Sequence, residues 1–178
     1  MKLQWHSIKH YSWLMKENPK RDEISGIYLW GFKSRNNRFI PYYGGKAWRL
    51  KWRLTDHISN ILGVNYTIYD PEKIENEDFN REHSKYNAED FAWKVKWIID
   101  RNALKPYIDY MVDNFYFTYA EMTHNEFKEY ADSAEKTLIS ECDLVGRGNS
   151  RCGRPHKPID LGNLKEIIDE FPLSFSIV

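Results

Sequence analysis

Tyr28 and Tyr43, fifteen residues apart, are followed by a basic run carrying Lys46, Arg49, Lys51, Arg53 and His57. Each of these residue types can act on a phosphate. A phenol hydroxyl donates and accepts hydrogen bonds, and it becomes a base only near pH 10 unless its surroundings change that. Arginine presents a rigid fork of N–H donors that matches phosphate oxygens, and lysine supplies a compact positive charge. Histidine titrates near neutrality and can take up or release a proton there. Two tyrosines at strand ends, the tight glycine turn Gly44-Gly45 and a helix opening on Arg49, Lys51 and Arg53 make a place for a phosphate.

The elements that must hold these groups can be read from the pattern. Residues 26–33 and 38–43 read as two short aromatic and β-branched strands, joined by the turn formers Ser34-Arg35-Asn36-Asn37 into a hairpin. Pro41 implies that the second strand is interrupted or lies at an edge. From Ala47 to Leu62 the apolar residues Leu50, Leu54, Ile58 and Ile61 recur at helical spacing, with Arg49, Arg53 and His57 on the neighbouring stripe. Phe115 to Met122 is a further strand. Asn125 to Leu144 is a long helix that ends before Gly146-Arg147-Gly148-Asn149. At the start of the chain Trp5, Ile8, Tyr11 and Leu14 predict a lead-in helix that gives way to the polar stretch Lys16–Asp22. Residues 63–113 read as an insertion: an acidic stretch from Asp70 to Asp90, then Phe91, Trp93, Val95 and Trp97 at strand period. The tail carries a loop rich in Arg151, Arg154, His156 and Lys157, then a short helix from Leu164 to Phe171.

The segment Tyr43 to Leu54, Y-G-G-K-A-W-R-L-K-W-R-L, taken with Gly26-Ile27-Tyr28, resembles the signature of the GIY-YIG nuclease superfamily. Members such as the nuclease subunit of bacterial excision repair carry a pattern like Y-I-G-K-A-x-x-L-x-x-R-L. Tyr43 rather than Tyr42 matches the second motif tyrosine, because Arg53 then falls ten residues later, as the family arginine does. His57 stands where the family has His or Tyr. Glu135-Lys136-Thr137-Leu138-Ile139 supplies the family's E-x-x-L-I context, and Asn149 is the nearest suitable asparagine after it. The likeness covers about residues 24–62 and 114–150. Gly44-Gly45 departs from the usual apolar-Gly pair, and the segment between the arginine helix and the next strand is longer than in the minimal domain.

The resemblance implies an α/β (α+β) fold, a small antiparallel sheet flanked by helices, as one domain over residues 1–178 with an insertion and a C-terminal extension. It implies a metal-dependent endonuclease with Tyr28, Tyr43, Arg53, His57, Glu135 and Asn149 in the catalytic site. Glu135 would hold Mg²⁺, with Mn²⁺ as a substitute, the rest of the shell coming from water and phosphate oxygens. Arg53 would meet the charge that develops on the phosphate. Which of Tyr28, Tyr43 and His57 takes the proton is left open by the sequence. Lys46, Arg49, Lys51, Arg147, Arg151 and Arg154 would contact double-stranded DNA. A single elaborated domain is most like a type II restriction endonuclease. The alternatives are a phage or mobile-element nuclease of low specificity and a non-catalytic nucleic-acid-binding module.

Composition constrains this reading. Net charge is zero, so attraction to nucleic acid must come from local basic clusters. With 42% hydrophobic residues the chain can build a packed core. Two cysteines, no charged-then-apolar leader and no long apolar run predict a cytoplasmic protein without a membrane span. Cys142, Cys152 and His156 lack the paired spacing of a zinc site. No P-loop, dinucleotide fingerprint or Ser-His-Asp arrangement is present, so no small-molecule cofactor beyond the metal is expected. Seven tryptophans and twelve tyrosines fit a small core built from large side chains, the use of most of them, or a stacking surface for bases. The aromatic-rich stretch from Phe91 to Tyr116 is the candidate interface of a homodimer that would cut both strands, the alternative being that Trp93 and Trp97 pack beneath the insertion.

Overall fold

The computed structural model describes residues 1–16, 23–88 and 101–171. Four antiparallel strands, β1 Lys9–His10, β2 Gly26–Lys33, β3 Phe39–Ala47 and β4 Phe115–Glu121, lie in the spatial order β1-β4-β2-β3. The described helices are α1 Leu50–Leu62, α2 Pro71–Glu75, α3 Arg101–Asp113, α4 His124–Glu141 and α5 Leu164–Asp169. The chain is therefore a mixed α/β fold with a small antiparallel sheet between helical layers. None of the described helices is long and apolar enough to cross a membrane.

β2 lies between β3 and β4, and its side chains alternate between two cores. Ile27 and Leu29 pack with Ala131, Ala134 and Leu138 of α4. Tyr28, Trp30 and Phe32 pack on the other face with Leu50, Leu54 and Ile61 of α1. Burial on both faces explains why this strand reads as a continuous apolar run. The described part of the insertion sends Tyr69, Ile74, Phe79, Tyr86, Leu104 and Ile108 into the α1-side core, so it thickens that layer.

The hairpin is present, and β3 is an edge strand that runs through Pro41 without a break. Trp30 pairs with Tyr43 but Gly31 pairs with Pro41, leaving Tyr42 as the extra residue of a bulge. A bulge breaks strict alternation, so Tyr42 and Tyr43 both pack on the α1 side. Tyr42 is buried against Trp30, whereas Tyr43 is partly exposed.

The predicted lead-in helix does not form. Residues 1–10 run extended, through bridges Lys2–Asp160 and Trp5–Ala120 and the pairing of β1 with β4, and a 3-10 turn follows at Tyr11–Met15. Leu3, Trp5 and Ile8 enter the α4-side core while Leu14 enters the α1-side core, a division that one helical stripe cannot make. The free edge of β4 offers backbone donors and acceptors, and pairing with them wins over local helical spacing.

In α1 the buried stripe is Leu50, Leu54, His57 and Ile61, while Ile58 is only half-buried. His57 thus belongs to the core face and not to a line of exposed basic residues. The long helix runs from His124 to Glu141 and opens on a reciprocal Thr123/Glu126 capping box. The predicted strand run Phe91 to Trp97 lies outside the described residues.

Candidate active site

Tyr28 occupies the middle of β2, opposite Gly45 of β3 and Tyr119 of β4. Its ring lies beneath Gly45, where an added Cβ would come within 2.5 Å of the phenol oxygen. The second glycine of the pair is therefore required for Tyr28 to fit. The first has a different reason: a Cβ at Gly44 would meet Leu138 and Leu144 methyl groups at 2.9 Å, so those leucines fill the space that an apolar side chain would take.

Helix α1 brings Arg53 and His57, one turn apart, to the Tyr28 hydroxyl. Arg53 Nε donates to Tyr28 Oη at 3.3 Å, and His57 Nε2 lies 2.8 Å from the same oxygen. His57 Nδ1 lies 2.8 Å from Tyr66 Oη. The Tyr43 ring stands 4.9 Å from the imidazole and 6.1 Å from the Tyr28 ring, centroid to centroid.

The direction of each hydrogen bond follows from the donor inventory. Arg53 Nε can only donate, so the Tyr28 oxygen accepts and its own hydrogen goes to His57 Nε2. A neutral imidazole has one N–H, which then sits on Nδ1 and donates to Tyr66. Burial, with Arg53 adding to it, pushes the His57 pKa down to about 3, so the ring is neutral at ordinary pH. Burial raises the Tyr28 phenol well above its usual range, the Tyr43 phenol adds to this, and Arg53 opposes it. Burial also disfavours charge on Arg53, but coupling to Tyr28 and Tyr43 outweighs it and the guanidinium is held charged. At rest the network is a neutral tyrosine and a neutral histidine beside a fixed cation.

Exposure then separates the three candidate proton acceptors. Tyr28 and His57 have no exposed surface, so neither touches solvent directly. Tyr43 and Arg53 are partly exposed and form the outer boundary of the network. Any proton that reaches His57 must pass through a tyrosine hydroxyl.

On the opposite side of the sheet, Lys46 of β3 points to α4. Its ammonium bonds Asp132 and sits 2.9 Å from Glu135 Oε2. Burial opposes charge on Lys46, and Asp132 and Glu135 overcome it, raising its pKa. Lys46 in turn holds the Asp132 carboxyl below its ordinary range. Glu135, Tyr43 and Asn149 line a common cleft of about 280 Å³, so Tyr43 belongs to both halves of the site.

Asn149 does its work on the backbone. Its Nδ2 donates to the Gly44 carbonyl and its Oδ1 accepts from the Gly44 N–H, both at 2.9 Å, while Gly148 N donates to Tyr42 O at 2.9 Å. The loop after α4 thereby satisfies the outer edge of β3 as another strand would. Asn149 is buried and fixes the backbone between Tyr43 and Gly45.

Among the described residues no three His, Cys, Asp or Glu side chains converge as a metal site. A hard cation held mainly by water and phosphate oxygens needs fewer protein ligands than that. Glu135, with Asp132 one turn before it, offers oxygen donors where a positive group is already accommodated, so this donor set fits Mg²⁺ or Mn²⁺.

The expected DNA contacts divide into two groups. Arg49, Arg151 and Arg154 are exposed and Lys51 is partly exposed. Lys46 and Arg147 are taken up within the protein: Lys46 by Asp132 and Glu135, while Arg147 donates to Pro41 O at 2.9 Å, pairs with Glu77 at 2.7 Å and lies over the Phe79 ring, fastening the 70s segment to the bulge. Two members of the site were not found from sequence. Asp132 was signalled by its position three residues before Glu135 on one helix face, whereas Tyr66 has no sequence signal, because only the path of the loop after α1 carries it to His57.

Compared with protein-family models, with curated proteins and with solved structures, the chain matches none.

Proposed function

We propose that this chain is an endonuclease of the GIY-YIG type that hydrolyses DNA phosphodiester bonds with a divalent cation. The observation that carries the reading is the meeting of Tyr28, Arg53 and His57 within hydrogen-bond reach, with Tyr43 beside them and in the same cleft as Glu135. Residues of β2, β3, α1 and α4, each suited to phosphate chemistry, lie around one edge of β3.

In hydrolysis a water oxygen bonds to phosphorus, the bond to the leaving sugar oxygen breaks, and the water proton must go to a base. Arg53 is the charged donor for the phosphate oxygens. Tyr43 is the exposed hydroxyl that orients the water. Tyr28 and His57 hold Arg53 in place, and Tyr43 is the one of the three candidate bases that solvent reaches. Glu135 would hold the cation, which when bound supplies positive charge for the phosphate and leaving oxygens.

The finer reading is a cytoplasmic type II restriction enzyme acting on double-stranded DNA as a homodimer, since one site per chain cuts one strand at a time. Of the proposed interface, Phe91 to Tyr116, residues 91–100 lie outside the described residues, and the rest forms α3 and the start of β4, with Leu104, Ile108, Met111, Val112 and Phe115 buried in the α1-side core.

Plasmid cleavage with Mg²⁺ and with chelator tests the activity. Nicking or linearisation that needs the metal, and that Glu135→Ala abolishes while DNA binding is kept, is the expected result. Binding without cleavage by the unaltered protein would mark a non-catalytic module, and near-normal cleavage by Glu135→Ala would remove Glu135 from the site.

A further inference from the structure

Helix α1 opens with two large indoles left in water. Trp52, in its first turn, is 62% exposed, and Trp48, just before it, is 45% exposed. Trp48 is not loose: its ring lies 4.1 Å from the Phe127 ring and 4.9 Å from His124, centroid to centroid. It is presented on a support from α4. The intervening and following residues are Arg49, Lys51 and Arg53, so indole and cation alternate along W-R-L-K-W-R.

An apolar protein partner would cover the indoles only by also desolvating these cations. A DNA strand with unstacked bases presents the matching alternation of phosphate and flat aromatic surface, and aromatic side chains with cations are how proteins hold such strands. A fully paired duplex offers phosphates but keeps its base faces stacked inside.

We infer that Trp48 and Trp52 form a stacking platform for unpaired bases of a DNA strand whose backbone runs along Arg49 and Lys51 toward Arg53. This rests on the proposed nuclease reading and deepens it: bases of the double-stranded substrate beside the bond to be cut unpair onto the platform, so a duplex already unpaired there binds more tightly than a regular one.

The test measures binding of a labelled, fully paired duplex and of the same duplex with a short central bubble, by fluorescence anisotropy in chelator. The bubble binds at least about tenfold more tightly. Trp52→Ala, at an exposed position, lowers bubble affinity by about 5- to 150-fold, the scale for losing one stacked base, and changes duplex affinity less than about threefold. Trp52→Phe retains most of the preference, and matching melting curves establish that both variants fold. Equal affinity for the two DNAs, or a Trp52→Ala variant that keeps the preference or weakens both alike, overturns the platform. If the unaltered protein cuts paired duplex and these results follow, the nuclease reading stands and only the platform falls. If neither DNA binds with or without Mg²⁺, both fall.

Discussion

The two faces of the sheet handle polar groups in opposite ways. On the α1 face Tyr28 and His57 are wholly enclosed, and burial holds both neutral beside the Arg53 cation. On the α4 face Lys46 pairs with Asp132 and Glu135 at a place partly open to solvent, and Lys46 and Asp132 each favour the other's charge. The enclosed network has few ways to rearrange, since each hydroxyl and ring nitrogen has an assigned partner. The open one can exchange partners with water or a cation. In the proposed function rigid positioning would come from one face and cation binding from the other, and Tyr43 lies where they meet.

The largest effect that would break this division is on turnover. Arg53→Ala should lower cleavage by about 10²- to 10³-fold, the scale for losing one preorganised donor. Single-turnover kinetics check this, and a loss below tenfold would place the enclosed network outside the chemistry.

The next effect is on stability against pH. His57 is held near 3 in the folded protein but returns to its ordinary value of 6.5 when unfolded. The unfolded chain therefore binds the proton first, and folding stability is lost as pH falls from about 6.5 toward about 3, with a slope of up to about 1.4 kcal/mol per pH unit. Denaturant melts across this window should show the slope, and His57→Gln should flatten it. An unchanged slope in that variant would mean that other groups govern acid unfolding.

Asn149→Ala should cost about 1–3 kcal/mol, because the Gly44 N–H and C=O lose their partners at the edge of β3. Asn149→Asp keeps an acceptor but no donor, so its melting temperature should fall between alanine and the unaltered chain. A neutral Asn149→Ala would mean that water replaces the clamp.

The smallest effect is expected on the open face. Lys46→Met should change stability by no more than about 1 kcal/mol, as for other partly exposed ion pairs. A much larger loss would show that the α4 face is as tightly specified as the α1 face.

Much of this could be read in advance. The turn formers Ser34–Asn37, strand-forming aromatics and helical spacing locate β2, β3, α1, β4 and α4 to within a few residues, because these signals act over a few neighbouring residues; the expected glycine turn does not form, since Gly44 and Gly45 lie inside β3 and pair with Leu29 and Tyr28 within β2. The resemblance to the GIY-YIG signature implies Tyr43 rather than Tyr42, through the distance to Arg53, and the structure places Tyr43 beside Tyr28 and His57 while Tyr42 is buried elsewhere. The misreadings share a cause. The first residues carry helical spacing but are drawn into strand pairing by the β4 edge, and His57 has a polar residue's identity but a core residue's position. Local pattern holds no information about which edge or face lies opposite.

The sequence by itself thus determined the chemical inventory and the order of the elements, since residue type and short-range periodicity are local properties. Tertiary structure alone decided the working states. Enclosure makes His57 neutral, the Arg53 donor dictates which way the Tyr28 hydrogen points, and the loop after α1 delivers Tyr66 to the imidazole. The loop after α4 likewise brings Asn149 to the edge of β3. These depend on dielectric surroundings and on contacts between residues far apart in the chain, which exist only once the sheet has packed between its two layers of helices.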